Sequence, residues 1–389
     1  MPGRPHTTDL LVIGGGVTAL SIAYHCARAD IDVVLLGPDA AKTAPAPRPV
    51  RTYQPGKVHN SELTVRSLAD YRAFAPAGGA DLVLSDVGWL VVASDRQEAA
   101  ALEREAAAQR AVGVELEPLT PDQARARNPW LDPAGTESAI WCPQSYLLDV
   151  DTVMRGYAAG AREHGARLLT GHRVTGLDAG SGRVTTDRGE FAAEAVVLAA
   201  EAGSGQLAAS AGLELPLWAQ IAELFGTDPV LADGELDVPF TVHPASGLKT
   251  LGTGRSFLVG LERVSRQEGM REVWLREAAE ELARRYPKLG GVGLHSVWTG
   301  TVDVTPARTP CIGRAGGAHE RILVAAGYTG QDLGQAPATG RMIRDLHLGR
   351  SPGVDLTPFA PTPSGPGLCQ VGPEIRQIRR GTRETDKRD

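Results

Sequence analysis

The sequence predicts an α/β fold: a mixed, mainly parallel sheet assembled from separated pieces of chain, with an α+β domain that has an antiparallel sheet inserted between them. Apolar segments of strand length recur near the start, the middle and the end of the chain, namely Leu10–Ile13, Ala195–Ala200 and Ile322–Ala326. Uninterrupted apolar strands are typical of a parallel sheet that is buried on both faces. A second group of strands, Phe240–Val242 and Ser256–Leu261, lies between the second and third segments and indicates a separate sheet.

Helical and strand patterns alternate after the first apolar segment, which is the order expected of a parallel α/β sheet. Stretches with helical spacing of apolar residues are Val17–Ala29, Ser61–Phe74, Gln97–Val112, Asp151–His164, Arg271–Tyr286 and Ala336–Leu348. Further strand patterns are Ile31–Leu36, Gly88–Ala93 and Arg167–Leu169. The turn residues Asp187-Arg188-Gly189 separate Val184–Thr186 from Glu190–Ala192 and predict a hairpin.

The same patterns predict how the chain is divided. One discontinuous domain is expected to comprise residues 1–85, 143–215 and 300–360, and the inserted domain residues 86–142 and 216–299. The proline-rich stretch Thr43–Pro49 is typical of an extended loop. The tail 361–389 starts with prolines and glycines and then becomes highly charged, which is typical of a disordered end.

Composition is that of an ordinary globular protein: of the 389 residues, 42% are hydrophobic and 22% are charged. The net charge of −6 argues against a nucleic-acid partner. No apolar run approaches the roughly 20 residues needed to cross a bilayer, and no apolar stretch precedes Asp9, so neither a membrane span nor a secretory signal is expected. The cysteines show neither metal-type nor disulfide-type spacing, which favours a reducing, cytoplasmic location: Cys26, Cys142, Cys311 and Cys369.

The first apolar strand runs directly into Gly14-Gly15-Gly16-Val17-Thr18-Ala19, a G-x-G-x-x-A motif that opens a helix. In such a strand–turn–helix unit Gly14 permits the tight turn, Gly16 lets a pyrophosphate approach the backbone, and Ala19 keeps the helix close to the strand. The free N–H groups at the start of the helix would point at the phosphates. The motif therefore predicts a dinucleotide site; a glycine-rich turn without a ligand is the alternative.

One position departs from this unit. The second strand, Ile31–Leu36, should end in an acidic residue that holds the ribose hydroxyls. Gly37 stands there instead, followed by Pro38 and Asp39. We expect Asp39 to reach the ribose from two residues later, on a backbone whose geometry Pro38 sets.

Further motifs follow in a fixed order along the chain. They are Arg48-Pro49-Val50-Arg51-Thr52-Tyr53, Leu148-Asp149, Arg173-Val174-Thr175-Gly176, Val196-Val197-Leu198-Ala199-Ala200, Thr305-Pro306, Pro310-Cys311-Ile312-Gly313, Ala325-Ala326-Gly327-Tyr328-Thr329-Gly330 and Ala338-Thr339-Gly340. From about Asp9 to Phe359 the chain thereby resembles the FAD-dependent D-amino-acid oxidase superfamily, nearest to its sarcosine and glycine oxidase branch. The joint order of the motifs discriminates against a Rossmann enzyme that uses only a nicotinamide cofactor.

The resemblance implies that the discontinuous, Rossmann-like domain binds FAD and that the inserted domain binds a small amine or amino-acid substrate. It implies hydride transfer from the carbon next to nitrogen to flavin N5, hydrolysis of the imine, and reoxidation by O2 to give peroxide. Val174 would contact the adenine. Gly327, Gly330 and Gly334 would lead to a helix that begins near Ala336, with Pro337 in its first turn and its N-terminus facing the flavin: these glycines are expected to bind the cofactor.

The resemblance also assigns roles to the segment after the glycine motif. Arg51 matches the family's second arginine in this segment, and its paired N–H groups would bind the substrate carboxylate. Arg48 matches the first arginine and would hold a positive charge close to the flavin ring. Tyr53 would line the pocket. The alternatives are solvated loop arginines and a packed loop tyrosine.

Lys249 is a candidate for the lysine that activates O2 in the sarcosine branch, because a cation beside the flavin would stabilise developing superoxide. Phe257–Gly260 aligns equally well to the same strand and would put Leu258 there, and a solvated lysine in a glycine-rich turn is a further alternative. The sarcosine branch attaches its flavin to a cysteine whose position is Gly300 here, so non-covalent FAD is expected. Cys311 is expected to pack as a small apolar residue.

Several positions depart from the family. Gly37, Glu201, Gly203 and Ala307 replace family residues, and Gln331–Gly334 replaces a segment that in some relatives supplies a lysine to the substrate carboxylate. A carboxylate at Glu201 would be unfavourable near the cofactor unless it is paired or points away. These departures favour a specialised amine-carboxylate substrate. A flavin dehydrogenase subunit that passes electrons to a partner or quinone, and a degenerate non-catalytic flavoprotein, are the alternatives; the oligomeric state is open.

Overall fold

The computed structural model describes residues 6–38, 48–74, 82–263, 265 and 269–361. Asp39 and nearly all of the predicted tail lie outside the described residues. Within those ranges, no helix combines the length and the apolar character that a bilayer crossing requires.

The described residues form nineteen strands and eight helices. In chain order the strands are β1 (His6–Ile13), β2 (Val33–Gly37), β3 (Arg48–Arg51), β4 (Ser85–Asp86), β5 (Trp89–Ala93), β6 (Glu117–Leu119), β7 (Ser138–Cys142), β8 (Ser145–Leu148), β9 (Arg167–Thr170), β10 (Val174–Asp178), β11 (Arg183–Thr186), β12 (Gly189–Leu198), β13 (Trp218–Thr227), β14 (Phe240–His243), β15 (Leu248–Thr253), β16 (Ser256–Leu261), β17 (Leu294–Val304), β18 (Cys311–Arg314) and β19 (Ile322–Ala326). The helices are α1 (Val17–Ala27), α2 (Val58–Ala73), α3 (Arg96–Ala111), α4 (Pro121–Arg127), α5 (Val150–Glu163), α6 (Ser204–Ser210), α7 (Arg271–Arg285) and α8 (Asp332–His347).

The first sheet is mixed and mainly parallel, as predicted. Its main order is β10-β11-β12-β1-β2-β9, and β19 pairs with both β12 and β18. The strands β19, β12, β1, β2 and β9 are parallel to their neighbours in this group. The predicted hairpin across 187–189 forms, but its second strand continues without a break into the apolar segment, so that β12 pairs with β11 first and with β19 later.

The second sheet has the order β17-β13-β16-β15-β14-β5-β7-β6 and is antiparallel except at one pair. β5 and β14 run parallel, with Trp89 opposite Phe240. The additional sheet is therefore as predicted apart from this pair, which sets two aromatic side chains next to each other. The domain boundaries given above stay a prediction.

The core explains why β1 has no polar alternation in its last four residues. Leu10 and Val12 pack in the cluster beneath the helices α1, α5 and α8, whereas Leu11 and Ile13 pack in the cluster on the opposite face. All four side chains are at most 4% exposed. The sheet is covered on both sides, so both faces of the strand must be apolar.

Helix α8 begins earlier than predicted. It starts at Asp332 rather than near Ala336, so Pro337 lies in the second turn and not in the first. Pro337 has no N–H for the carbonyl of Leu333, four residues before it. The hydroxyl of Tyr71 on α2 donates to that carbonyl at 2.6 Å instead, and this satisfies the acceptor and explains why the proline is tolerated.

Two segments predicted as irregular belong to strands. Arg48 and Pro49 open β3, whereas the remainder of the predicted loop up to residue 47 lies outside the described residues. β3 is an edge strand that pairs only with β8, and an edge strand tolerates a proline because one side of its backbone needs no partner. Lys249 lies in β15, not in a turn, and its backbone pairs with Val242 and Gly260.

Candidate active site

The glycine turn after β1 is closed so tightly that it excludes side chains. Gly14 has φ +150° and its N–H donates to the carbonyl of Leu36 at 2.9 Å. A Cβ at this position would lie 2.0 Å from the carbonyl oxygen of Ala199 and 3.1 Å from the Cβ of Ala19. Ala19 is fully buried, so the small residue permits the close helix–strand contact that the motif requires.

The absent ribose acid has a packing explanation. A Cβ at Gly37 would lie 3.1 Å from the carbonyl oxygen of Gly14 and 3.4 Å from the Cα of Gly15. A Cβ at Gly15 would in turn meet the ring of Pro38 at 2.6 Å. The glycine turn and the end of β2 therefore lie against each other with little space for a side chain at Gly37. The alternative ribose ligand, Asp39, lies outside the described residues.

A pocket that is partly open to solvent begins at the start of α1 and extends to β17 of the second sheet. Its lining combines the glycine turn with charged side chains from four other segments, including Gly16, Val17, Arg48, Glu201, Asp303 and Asp332. The pocket therefore lies between the mainly parallel sheet and the second sheet.

Glu201 occupies the approach to the glycine turn. Its Oε1 lies 2.3 Å from the position that a Cβ on Gly16 would take, and its backbone has φ +48°, a conformation that favours glycine. No described residue donates a hydrogen bond to this carboxylate. Although the residue as a whole is exposed, desolvation of its carboxylate by the surrounding pocket, followed by the charges of Asp332 and Asp303, raises the pKa of Glu201 to about 7. The carboxylate thus neither points away nor has a hydrogen-bond partner.

Arg48 connects β3 to the start of α8. Its guanidinium binds the carboxylate of Asp332 at 2.6 Å and donates to the carbonyl of Gly330 at 3.0 Å. Burial alone would raise the pKa of Asp332, but the charge and hydrogen bond of Arg48 lower it below its ordinary value. The positive charge expected of Arg48 is therefore compensated by Asp332, a residue that the sequence reasoning did not connect with it.

Asp303, at the end of β17, holds the segment after β19. Its Oδ2 accepts a 2.5 Å hydrogen bond from the N–H of Gly327, and its backbone carbonyl accepts one from Thr329 at 3.0 Å. Gly327 has φ +89°, and a Cβ there would meet Thr305 at 2.5 Å. Burial raises the pKa of Asp303 to about 6. The second sheet thereby positions the glycine segment that precedes α8.

Arg51 is a buried cation on an aromatic surface. Its guanidinium carbon lies 4.6 Å from the ring centroid of Trp89 and 5.3 Å from that of Phe240, and these two rings are stacked 4.5 Å apart. The residue is 7% exposed, its Nε has no partner, and no described residue accepts a hydrogen bond from its guanidinium. Burial lowers the pKa of Arg51 to about 10, so the side chain is protonated at neutral pH.

Lys249 is not a solvated lysine. Its Nζ lies 3.6 Å from Glu262, which also pairs with Arg308. Burial lowers the pKa of Lys249, and Glu262 partly opposes this change. Arg51 is among the cations that act on Lys249, so the structure brings two of the three predicted catalytic residues together.

The other predicted residues lie in different surroundings. Tyr53 is fully buried, and its hydroxyl donates to Glu105 at 2.5 Å, which agrees with the packed-tyrosine alternative. Val174 opens β10 and packs at the edge of the sheet core. Gly334 lies inside α8, where a Cβ would contact Thr64 of α2 at 3.4 Å, so its place is a helix–helix contact rather than the pocket.

Sequence reasoning missed several residues of the site. Asp303 and Trp298 line the pocket from β17, and Glu262 and Arg308 lie beside Lys249. β17 was not predicted as a strand, so no sequence signal placed its side chains at the pocket. A Cβ at Gly300 would lie 1.9 Å from the indole of Trp298, which accounts for glycine at the position of the family cysteine. Cys311 is 4% exposed and packs in the core, as expected.

The pocket fits the pyrophosphate of a dinucleotide cofactor at the glycine turn. Gly14 and Gly16 leave the backbone at the start of α1 bare, and the first N–H groups of a helix bind phosphate oxygens. Arg48 and Gly330, which precedes α8, also line the pocket. One residue opposes the fit, because ionised Glu201 would lie beside the phosphates.

Replacement of Gly14 by alanine is expected to abolish cofactor retention and to destabilise the protein by several kcal/mol. The new Cβ would collide with the carbonyl oxygen of Ala199 at 2.0 Å, and φ +150° is unfavourable for alanine. The check is the melting temperature and the FAD content of the purified variant. Gly176→Ala is the control, because its Cβ meets nothing closer than 3.6 Å; equal behaviour of the two variants would contradict this account of the turn.

Comparison with known proteins agrees with this architecture. A D-amino-acid oxidase of Bradyrhizobium diazoefficiens is 30% identical over 263 residues, which cover 64% of this chain and 60% of that protein. A glycine oxidase of Geobacillus kaustophilus is 25% identical over 383 residues, 92% of this chain and 97% of that one. The crystal structure of L-proline dehydrogenase from P. horikoshii superposes with a TM-score of 0.77 at 22% identity, covering 90% of this chain and 95% of the other. Residues 9–346 match the model of the FAD dependent oxidoreductase family, and the chain belongs to this family.

Proposed function

We propose that the protein oxidises the C–N bond of an amino acid or a carboxylate-bearing secondary amine to an imine, with O2 as the electron acceptor and H2O2 as the second product. The observation that carries the proposal is Arg51: a buried guanidinium that lies on Trp89 and Phe240 of the second sheet and for which no described residue accepts a hydrogen bond. The relatives named as D-amino-acid oxidase and glycine oxidase support an amino-acid substrate.

The surroundings of Arg51 favour the binding of a substrate carboxylate. A buried charge without a partner is costly, and a carboxylate that accepts two N–H groups from the guanidinium removes that cost. Trp89 and Phe240 cover one face of the guanidinium and exclude water from it, which strengthens the ion pair. The carboxylate would thus orient the C–N bond relative to the pocket.

FAD, when bound, supplies the hydride acceptor for this chemistry. The residues that would hold it are the glycine turn at Gly14 and Gly16 on the phosphate side, and Arg48 with Gly327 and Gly330 on the other. Arg48 and Asp332 form a neutral pair there, so we expect the helix N-terminus of α8, rather than the arginine charge alone, to favour negative charge on the ring.

The electron acceptor has two candidates. A free cation beside the reacting atoms would favour O2, because it stabilises developing superoxide. Lys249 is the candidate for that cation, but its pairing with Glu262 at 3.6 Å reduces its free charge. This pairing favours the second candidate, a dehydrogenase that transfers electrons to a quinone or to a partner protein.

The test begins with the visible spectrum of the purified protein and the release of its flavin by heat, which is expected because no covalent link is predicted. Amines are then added without oxygen, and bleaching of the flavin band identifies substrates. Peroxide release after air is admitted supports the oxidase, whereas reduction that only a quinone reverses supports the dehydrogenase. A protein that stays colourless with added FAD, or a bound flavin that no amine bleaches, would contradict the proposal.

A further inference from the structure

Four cationic side chains converge on one carboxylate at the proposed substrate site. Arg51 comes from β3, Lys57 from the start of α2, and Lys249 from β15. Arg308 comes from the loop between β17 and β18, and the carboxylate is that of Glu262, directly after β16. These residues come from three separate stretches of chain, 51–57, 249–262 and 308, so the fold brings the charges together.

The contacts within this cluster leave two cations without an anion. Glu262 pairs with Lys249 at 3.6 Å and with Arg308. The Nζ of Lys57 donates to the backbone carbonyl of Ala307 at 3.1 Å, which is a neutral acceptor. Arg51 has aromatic neighbours, and among the described residues nothing accepts a hydrogen bond from its side chain.

The charge balance is strongly positive. Four cations face one carboxylate, which leaves an excess of three positive charges in partly desolvated surroundings. Burial lowers the pKa of Lys57 to about 8, and the charge of Arg308 adds to this effect. Lys249 is the main cause of the fall in the pKa of Glu262 to about 2, so the Glu262 carboxylate stays ionised near neutral pH and already carries its full negative charge. The surroundings therefore favour anions that the protein itself does not supply.

One side of the cluster borders solvent. The side chains of Lys249, Arg308 and Glu262 are 27%, 33% and 41% exposed, whereas Arg51 is only 7% exposed and lies at the inner side. A single substrate carboxylate on Arg51 would compensate one of the three excess charges and leave two.

We infer that the substrate carries a second acidic group, so that it is an amine dicarboxylate: one carboxylate binds Arg51 and the other binds Lys57 and Arg308. This inference rests on the proposed function, because it assigns the substrate class of the same site. We expect the charge-assisted hydrogen bonds to the second carboxylate to give a preference of at least tenfold in kcat/KM over a neutral isostere, which corresponds to about 1.4 kcal/mol.

The experiment compares matched substrates on the FAD-loaded enzyme. Glutamate is paired with glutamine, aspartate with asparagine, each as both enantiomers, and iminodiacetate with N-methylglycine. In whichever pair the enzyme oxidises, we expect the dicarboxylate to be preferred by about tenfold or more in kcat/KM. Lys57→Met is expected to reduce this preference to less than about threefold, and Lys57→Arg is expected to retain it. Lys288→Met is the control, since Lys288 also donates to a backbone carbonyl, that of Pro129 at 2.9 Å, outside the cluster.

A second readout does not require turnover. Succinate is expected to raise the melting temperature of the wild-type protein more than butyrate does, and Lys57→Met is expected to remove the difference. The inference is overturned, while the proposed function stands, if the enzyme oxidises the neutral and dicarboxylate members with equal kcat/KM and if succinate and butyrate give equal shifts of the melting temperature. If no amine at all bleaches the flavin, the proposed function fails and the inference fails with it.

Discussion

The affinity for FAD is expected to fall by about tenfold when the pH is raised from 6 to 8, and Glu201→Gln is expected to abolish this dependence. The carboxylate of Glu201 lies over Gly16, where the motif leaves space for phosphates. Its pKa, raised to about 7, means that it is largely neutral below pH 7 and ionised above it. Phosphate charge disfavours the ionised form of Glu201, so FAD binds preferentially to protein in which this carboxyl is protonated. Above pH 7, FAD binding therefore requires Glu201 to take up a proton from solvent, which lowers the apparent affinity.

The measurement is the quenching of FAD fluorescence on titration into cofactor-free protein at several pH values. The groups that face Glu201 are Asp332, Asp303 and Arg48, and Asp303 can itself titrate, because its pKa is raised to about 6. Glu201→Gln isolates the contribution of Glu201 from theirs.

Glu201→Gly adds an independent check on the same site. It removes the carboxylate and relieves the backbone at φ +48°, so we expect FAD to bind about tenfold more tightly at pH 8 than it binds the wild type. Glu190→Gln is the control, because Glu190 pairs with Arg183 on an exposed hairpin. If the wild type and Glu201→Gln bind FAD equally tightly at pH 8, the ionised carboxylate moves away from the glycine turn without a measurable loss of binding free energy, and the prediction is wrong.

Arg51→Met is expected to raise the substrate concentration needed for half-maximal flavin reduction by about 100-fold or more, with a smaller change in the limiting rate. The guanidinium is the proposed anchor of the carboxylate, and Arg51→Lys is expected to recover only part of the affinity because an ammonium cannot form the paired contact. Anaerobic stopped-flow reduction of the flavin separates the two parameters.

The stability of the same variant distinguishes binding from structure. Among the residues that the structure describes, none pairs with the buried charge of Arg51, so methionine is expected to leave the melting temperature unchanged or to raise it. Arg127→Met is the control: the guanidinium carbon of Arg127, the last residue of α4, lies 4.1 Å from the ring centroid of Trp141, and Arg127 does not line the pocket. If the Arg51→Met variant melts at a much lower temperature than the Arg127→Met variant, Arg51 stabilises the fold rather than binding the substrate.

Local rules predicted the parts of the fold that depend on near neighbours in the chain. The apolar segments at Leu10, Ala195 and Ile322 all became parallel strands, because a strand covered on both faces must be apolar throughout. The start of α8 was misplaced because Pro337 favours a first turn, and only the hydroxyl of Tyr71 on α2 makes it acceptable in the second. β17 was missed because four of its eleven residues are exposed and polar, so its apolar pattern is weak and its register is set by its pairing with β13.

The sequence by itself determined the family, the glycine turn of the cofactor site and the identity of Arg51 as a candidate, since each follows from short segments whose spacing carries the signal. Which charged residues surround the glycine turn and Arg51 was determined only by the tertiary structure. Glu201 lies over Gly16, Asp332 neutralises Arg48, and Lys249 joins Glu262, Arg308 and Lys57 in one positive cluster. The physical reason is that electrostatic interaction depends on distance in space and on burial. Contacts such as Arg308–Glu262 and Arg48–Asp332, which join residues 46 and 284 positions apart, cannot be read from spacing along the chain.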